Sequence, residues 1–194
     1  MPPPEWFYRG RRYLGDLYQK QRQGSRETLE QFIRRQDLDI ERACLHARER
    51  SQFAWEQADP RKAAVFLQPA IEATLERAEQ ILQRNIDLFG QTFHLQPLDW
   101  HRDPVTRENI PRLWGTDLNV YDAEHFSDVR YIWELNRHQH FVTLGRAYYW
   151  SNDSRFAVDL FEQWQHWLDE NPPGVGINWS SALELAFRLI SWIW

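Results

Sequence analysis

Apolar positions recur at helical spacing in several blocks along the chain, separated by short polar or proline-bearing stretches. Residues 1–24 are aromatic and basic with weak periodicity. Ser25 then reads as an N-cap, and Thr28, Leu29, Phe32 and Ile33 follow at helical spacing, predicting a helix to about Gln57 that Asp59-Pro60 breaks. A second helix is predicted from Ala70 to Arg84, after which the chain meets Phe89-Gly90. Residues 91–126 differ: Pro97, Pro104, Pro111, three histidines (His94, His101, His125), Trp100 and Trp114 interrupt any stripe. They predict a long ordered loop with room for a short hairpin.

Three further helices are predicted. From Asp128 to about Trp150, Val129, Trp133, Leu144 and Ala147 fall on one side, and Tyr131, Leu135, Val142 and Tyr149 on the other. A helix apolar on two sides is buried between layers. From Ser154 to about Glu170, Phe156, Leu160, Trp164, Trp167 and Leu168 share one arc opposite a polar one, the pattern of a surface helix. Ser181 and Glu184 match a capping box; beyond them only Glu184, Arg188 and Ser191 form a polar strip, which predicts another buried helix. Buried and exposed helices alternate across short connections, which make antiparallel neighbours. The expected fold is all-α, an incomplete α/α toroid of antiparallel helix hairpins with a long irregular loop segment, an ordinary helical bundle being the alternative. The expected organisation is 1–90 as an N-terminal helical segment, 91–126 as an ordered loop region and 127–194 as the start of the toroid helices. Ile190-Ser-Trp-Ile-Trp194 stops inside an apolar helix without a C-cap glycine or a final cation, so the chain reads as the N-terminal part of a longer protein.

Composition narrows the function classes. The 194 residues fit one domain or a piece of one, and 42% hydrophobic content suffices for a core. A net charge of −5 disfavours a dedicated nucleic-acid binder. No apolar run reaches the ~18 residues of a membrane span, and Met1-Pro-Pro-Pro-Glu-Trp lacks the pattern of a signal peptide. A single cysteine, Cys44, excludes an intrachain disulfide and a cysteine-based zinc cluster. Eleven tryptophans, and only two lysines (Lys20 and Lys62) among 23 cations, fit either flat polar ligands such as sugars and carboxylates or aromatic helix packing with an arginine bias.

Two longer motifs carry a family resemblance. Asp128-Val-Arg-Tyr-Ile-Trp-Glu-Leu-Asn-Arg-His-Gln-His140 continues through Leu144-Gly-Arg-Ala-Tyr148 and Trp167-Leu-Asp-Glu-Asn-Pro172 to Gly176-Ile-Asn-Trp-Ser-Ser-Ala-Leu-Glu-Leu-Ala-Phe-Arg188. In order and spacing these segments, with Leu88-Phe-Gly90 and Leu98-Asp-Trp-His101 upstream, resemble the heparinase II/III family over about residues 79–194. The resemblance implies a polysaccharide lyase with an N-terminal α/α toroid followed by β-sandwich domains, acting on acidic glycans of the heparan sulfate or alginate-like kind, in the periplasm or outside the cell. No cofactor is expected for these residues. The partners that the resemblance implies are the acidic polysaccharide and the remaining toroid and β-sandwich domains of a parent chain. The family's Tyr and His base and acid lie beyond the last motif, so the chain by itself is expected to be inactive.

Such a lyase removes the proton beside a uronate carboxylate and expels the 4-linked oxygen, which requires a donor to offset the carboxylate charge, a base and an acid. Asn178 is the candidate donor: it lies just before a capped helix, and the resemblance assigns the charge-neutralising role to the matching Asn. A turn cap is its structural alternative. Trp179 reads either as a stacking platform for a sugar ring or as core. Arg137 and His138 read as substrate contacts or as members of a buried network. Arg130, Glu134, Glu184 and Arg188 read as structural ion pairs at helical spacing: Arg130 with Glu134 four apart, Glu134 with Arg137 three apart, and Glu184 with Arg188.

Sharper alternatives fail. His138 and His140 diverge at i,i+2 on a helix, so no metal site is expected. Gly174-Val-Gly176 lacks the third glycine of a dinucleotide loop, and no Gly-x-Ser-x-Gly is present. Two other functions stay open: a non-catalytic glycan-binding toroid, and an α/α glycoside hydrolase using a pair among Asp99, Asp128, Glu134 and Glu184.

Overall fold

The structure is a computed structural model that describes Asp39, Arg42, residues 60–121 and residues 127–194. The helix expected from Ser25 to Gln57, Cys44 and His125 lie outside the described residues. The chain divides into Met1–Lys62 and Ala63–Trp194, and the second unit holds the core and the motif segments.

Helix α1 spans Pro60–Leu82. It begins at the proline expected to break a helix, because a missing N–H costs nothing in a helix's first turn. Ala78 and Ile81 pack with Leu144, Ala147 and Phe156. Strands β1 (Asn85–Leu88) and β2 (Gln91–His94) follow as an antiparallel hairpin, with Ile86 opposite Phe93. Phe89 and Gly90 form its turn at φ 51° and 78°, the positive pair of a two-residue I′ hairpin. The hairpin thus starts upstream of the loop region in which the sequence left room for it.

The irregular stretch after β2 is pinned by polar contacts. Asp103 is fully buried and accepts from the backbone N–H of Val105 (2.7 Å) and from both the N–H and the hydroxyl of Ser127 (2.8 Å each), tying the two ends of the loop together. Trp100, Ile86, Leu88, Leu135, Phe141 and Trp167 form the central apolar cluster.

Helices α2 (Val129–Asn136) and α3 (Gln139–Ser151) replace the single helix expected over 128–150. The break falls at His138, which takes a left-handed conformation (φ 58°) and buries its ring completely. Each of the two apolar sides seen in the sequence is therefore split at the break, with Val129, Trp133, Tyr131 and Leu135 in α2 and Leu144, Ala147, Val142 and Tyr149 in α3. Helix α4 (Ser154–Glu170) matches the expected span, with Asp153 as its N-cap accepting from the Arg155 N–H. A 3-10 turn at Ile177–Trp179 leads into α5 (Ala182–Ile193). Among the described residues the secondary structure is mostly helical, with one two-stranded sheet.

Helix α5 departs from expectation twice. Ser181 makes no side-chain capping bond, and the carboxylate of Glu184, the other half of the predicted box, is engaged by Arg137. The helix also buries its polar strip, Glu184 and Arg188, while Leu183, Phe187, Leu189, Ile190 and Ile193 are exposed. Its charged residues meet partners inside the unit, and that fixes which side faces inward.

Candidate functional site

The motif loop between α4 and α5 is docked by its backbone. Gly176 N–H donates to the Leu113 carbonyl (2.7 Å), and Gly115 N–H donates to the Gly174 carbonyl (2.8 Å). The contact is too close for side chains. A Cβ on Gly115 would lie 2.8 Å from the Trp179 carbonyl carbon, and one on Gly176, at φ 91°, would lie 2.8 Å from His101 Cε1. His101 cannot yield easily: it is buried, and its Nε2 donates to the Glu170 carbonyl at 3.1 Å. Burial lowers its proton affinity.

Asn178 sits at the centre of a buried amide network. Both its amide hydrogens are donated, to Asn136 Oδ1 (2.9 Å) and to Asn171 Oδ1 (2.7 Å). Asn136, at the end of α2, completes the network: its Nδ2 donates to the carbonyls of Trp100 (3.0 Å) and Ile132 (2.9 Å), and its Oδ1 also accepts from Trp167 Nε1 (2.8 Å). Asn136 and Asn178 are both completely enclosed. As placed, Asn178 has no amide hydrogen left for a substrate carboxylate.

The other expected site residues are distributed around this network. Trp179 is half-buried, its ring 6.2 Å from that of Trp167, with its indole nitrogen enclosed. Arg137 binds both oxygens of Glu184 (2.7 and 2.8 Å) and one of Glu134 (2.6 Å), and the Glu184 hydrogen bonds raise its pKa further. Glu184 thus pairs with Arg137, and Arg130 pairs with Asp128 at 2.5 Å on the surface. Of the pairs read from the sequence, Glu134 with Arg137 forms, whereas the two at i,i+4 lost to geometry: Asp128 caps α2 beside Arg130, and Glu184 points across to α2. Arg188 is fully buried and makes no salt bridge among the described residues; desolvation, only partly offset by the nearby Glu184 charge, lowers its pKa to about 10.

His138 stacks on Phe141 (4.4 Å) and Trp192 (5.9 Å) and meets Trp100 and Trp167 edge-on. Its Nδ1 accepts from Trp192 Nε1 at 2.8 Å, which places its own proton on Nε2. Burial holds its pKa well below the usual value. Beside it, His140 lies at the end of a chain in which Arg84 pairs with Asp159 (2.7 Å), Asp159 accepts from Gln163 (2.7 Å), and Gln163 accepts from His140 Nε2 (3.1 Å). Burial lowers the pKa of His140 to about 4.

Asn136, Asn171, Trp192 and Gln163 were not singled out from the sequence. The available signal was an Asn at an apolar position of α2, three residues from Trp133. A separate polar cleft of about 640 Å³ opens between α1, the hairpin and the start of α3, bordered by Glu76, Gln80, Asn85 and Gln139; none of the expected site residues lines it. Among the described residues no group of three His, Cys, Asp or Glu is placed to hold a metal ion. No helix there is long and apolar enough to cross a membrane.

Comparison with known proteins follows the same residues. Residues 20–192 match the family model of the heparinase II/III N-terminus, reaching well upstream of the motif segments. A heparin-sulfate lyase of Bacteroides thetaiotaomicron is 27% identical over 116 residues, 59% of this chain and 16% of that protein. A heparin-sulfate lyase of Bacteroides stercoris is 40% identical over 40 residues, 21% of this chain and 6% of that protein. The chain thus aligns with less than a fifth of the length of either relative. No solved structure matches it significantly.

Proposed function

We propose that this chain, which belongs to the heparinase II/III N-terminus family, forms the opening part of an α/α toroid in a polysaccharide lyase that cleaves uronate-containing acidic glycans by β-elimination. The observation that carries the proposal is the family match over residues 20–192, and the heparin-sulfate lyases among its relatives support the substrate class. In the reaction a base takes the proton beside the uronate carboxylate, the C4–O bond breaks, and an acid protonates the leaving oxygen.

In this reading residues 63–194 supply architecture. Asn178 anchors the motif loop through its two donated hydrogens, and Arg137 and His138 brace α2 against α5 and the aromatic cluster. Carboxylate neutralisation, base and acid then come from later toroid helices and sandwich domains of a longer protein. The chain alone is inactive, and the complete enzyme works on its polymer in the periplasm or outside the cell.

The test is to express the complete open reading frame and the 194-residue chain in parallel and to follow the ultraviolet absorbance of unsaturated uronate with a panel of acidic polysaccharides. The reading expects product from the complete protein and none from the chain. Cleavage without the unsaturated chromophore would replace elimination by hydrolysis. A folded complete protein without activity on any uronate polymer would leave the toroid as a glycan-binding scaffold.

A further inference from the structure

Among the described residues Arg188 is a buried cation with no salt bridge, the Glu184 carboxylate acting on it only through space. Glu184, one helical turn back, gives both oxygens to Arg137. The charge of Arg188 is met instead by carbonyl dipoles and indole faces. Its Nη2 donates to the Asn178 carbonyl, and its Nη1 donates to the Asn136 carbonyl at 3.5 Å. Its guanidinium carbon lies 5.0 Å from the ring centre of Trp167 and 5.8 Å from that of Trp179. Taking a charge out of water costs several kcal/mol after relaxation, and hydrogen bonds together with cation–π contacts offset part of that cost. Desolvation outweighs these contacts and lowers the pKa of Arg188.

The two carbonyls belong to parts of the chain 42 residues apart that the amide network also joins. Asn136 ends α2, just before the left-handed residue His138; Asn178 is the middle of the 3-10 turn that presents Trp179. We infer that Arg188 is a positioning residue: its planar fork fastens the Ile177–Trp179 turn to the α2–α3 break and fixes the Trp179 ring against Trp167. A lysine, with a point charge on one nitrogen and no planar fork, cannot reproduce the separate Nη1 and Nη2 contacts to the two carbonyls together with the contacts to both indoles. The inference deepens the lyase reading by naming what holds its motif loop. Its test uses no activity, so either can fail without the other.

Hydrogen exchange read by mass spectrometry on residues 172–181 gives the test, in wild type, Arg188→Lys and Arg188→Met. Both variants are expected to exchange this loop at least about tenfold faster, with α4 unchanged, and Lys no better than Met. Glu184→Gln is expected to leave the loop protected, because that carboxylate serves Arg137. In Arg188→Ala, guanidinium at low millimolar concentration is expected to restore protection and methylammonium is not. In wild type, the Arg188 Nε–H signal is expected to be protected from exchange and shifted upfield by the two indoles. Unchanged loop protection in Arg188→Met, or full protection in Arg188→Lys, overturns the inference. So does a wild-type Arg188 Nε–H that exchanges as fast as a surface arginine, a result that stands even where no variant folds.

Discussion

Truncating Asn136 to alanine removes the hub of the buried network. Asn136 is completely enclosed and makes four side-chain hydrogen bonds, to Trp100, Ile132, Trp167 and Asn178. The Ile132 carbonyl keeps its place in the helix, so three groups lose a partner: the Trp167 indole N–H, one amide hydrogen of Asn178 and the Trp100 carbonyl. Each buried group left without a partner costs about 1–3 kcal/mol, and water entering the cavity recovers some of it. A net loss of about 4 kcal/mol follows, a large share of the roughly 5–15 kcal/mol that a domain possesses. At a urea dependence of about 2 kcal/mol per molar, the unfolding midpoint falls by about 2 M. The assay is urea unfolding followed by near-ultraviolet circular dichroism, which reads the tryptophans of this cluster. Asn136→Asp tests the cause: it keeps the shape and the acceptor but sets a carboxylate oxygen, in place of the Nδ2 donor, against the Trp100 and Ile132 carbonyls, so it should be comparably damaging. A midpoint shift under about 0.5 M in Asn136→Ala would refute the reasoning, since it would mean that the network contributes no more than its neighbours' packing.

Other outcomes follow from the same structure. His140 and His138 are held neutral by burial, so the unfolded chain takes up protons first as pH falls. The contribution of His140 is complete above the unfolded value of 6.5 and is lost on acidification towards about 4, about 3 kcal/mol in all, and His138 acts in the same direction; urea midpoints measured across this window should fall steadily, and a flat profile contradicts it. Gly176→Ala places a Cβ at positive φ against His101 and should destabilise by about 2 kcal/mol or more, read as a lowered melting temperature, whereas Gly90→Ala meets only backbone strain and open space. Asn178→Ala should raise loop exchange and lower stability by about 2 kcal/mol; loss of lyase turnover with unchanged stability would instead return Asn178 to a direct role on the carboxylate. Glu184→Gln leaves Arg137, which is 17% exposed at its side chain, with Glu134 alone, and should cost about 2 kcal/mol in thermal unfolding.

Much of the helical frame is legible in the sequence because amphipathic periodicity is a local property. Helix α4 shows it best, with Phe156 and Trp167 inward and an N-capping Asp153 where the pattern begins. The break at His138 is not legible, since the apolar spacing continues through it; only the tertiary cluster of Trp100, Trp167 and Trp192 rewards the left-handed turn that buries the imidazole. Helix α5 inverts the rule that apolar faces go inward, because Glu184 and Arg188 find partners there that no sequence spacing announces. The motifs located the loop, yet its chemistry lay in long-range partners. Asn178 read as a free donor at a helix start, and only Asn136 and Asn171, 42 and 7 residues away, reveal that its hydrogens are committed.

The most direct measurement of the central claim is the ultraviolet absorbance of unsaturated uronate released from acidic polysaccharides by the complete open reading frame, with the isolated chain alongside. The account predicts a rising signal from the complete protein and none from the chain, whose described residues supply the loop and its supports. A rising signal from the isolated chain would contradict it, and so would cleavage products that carry no double bond.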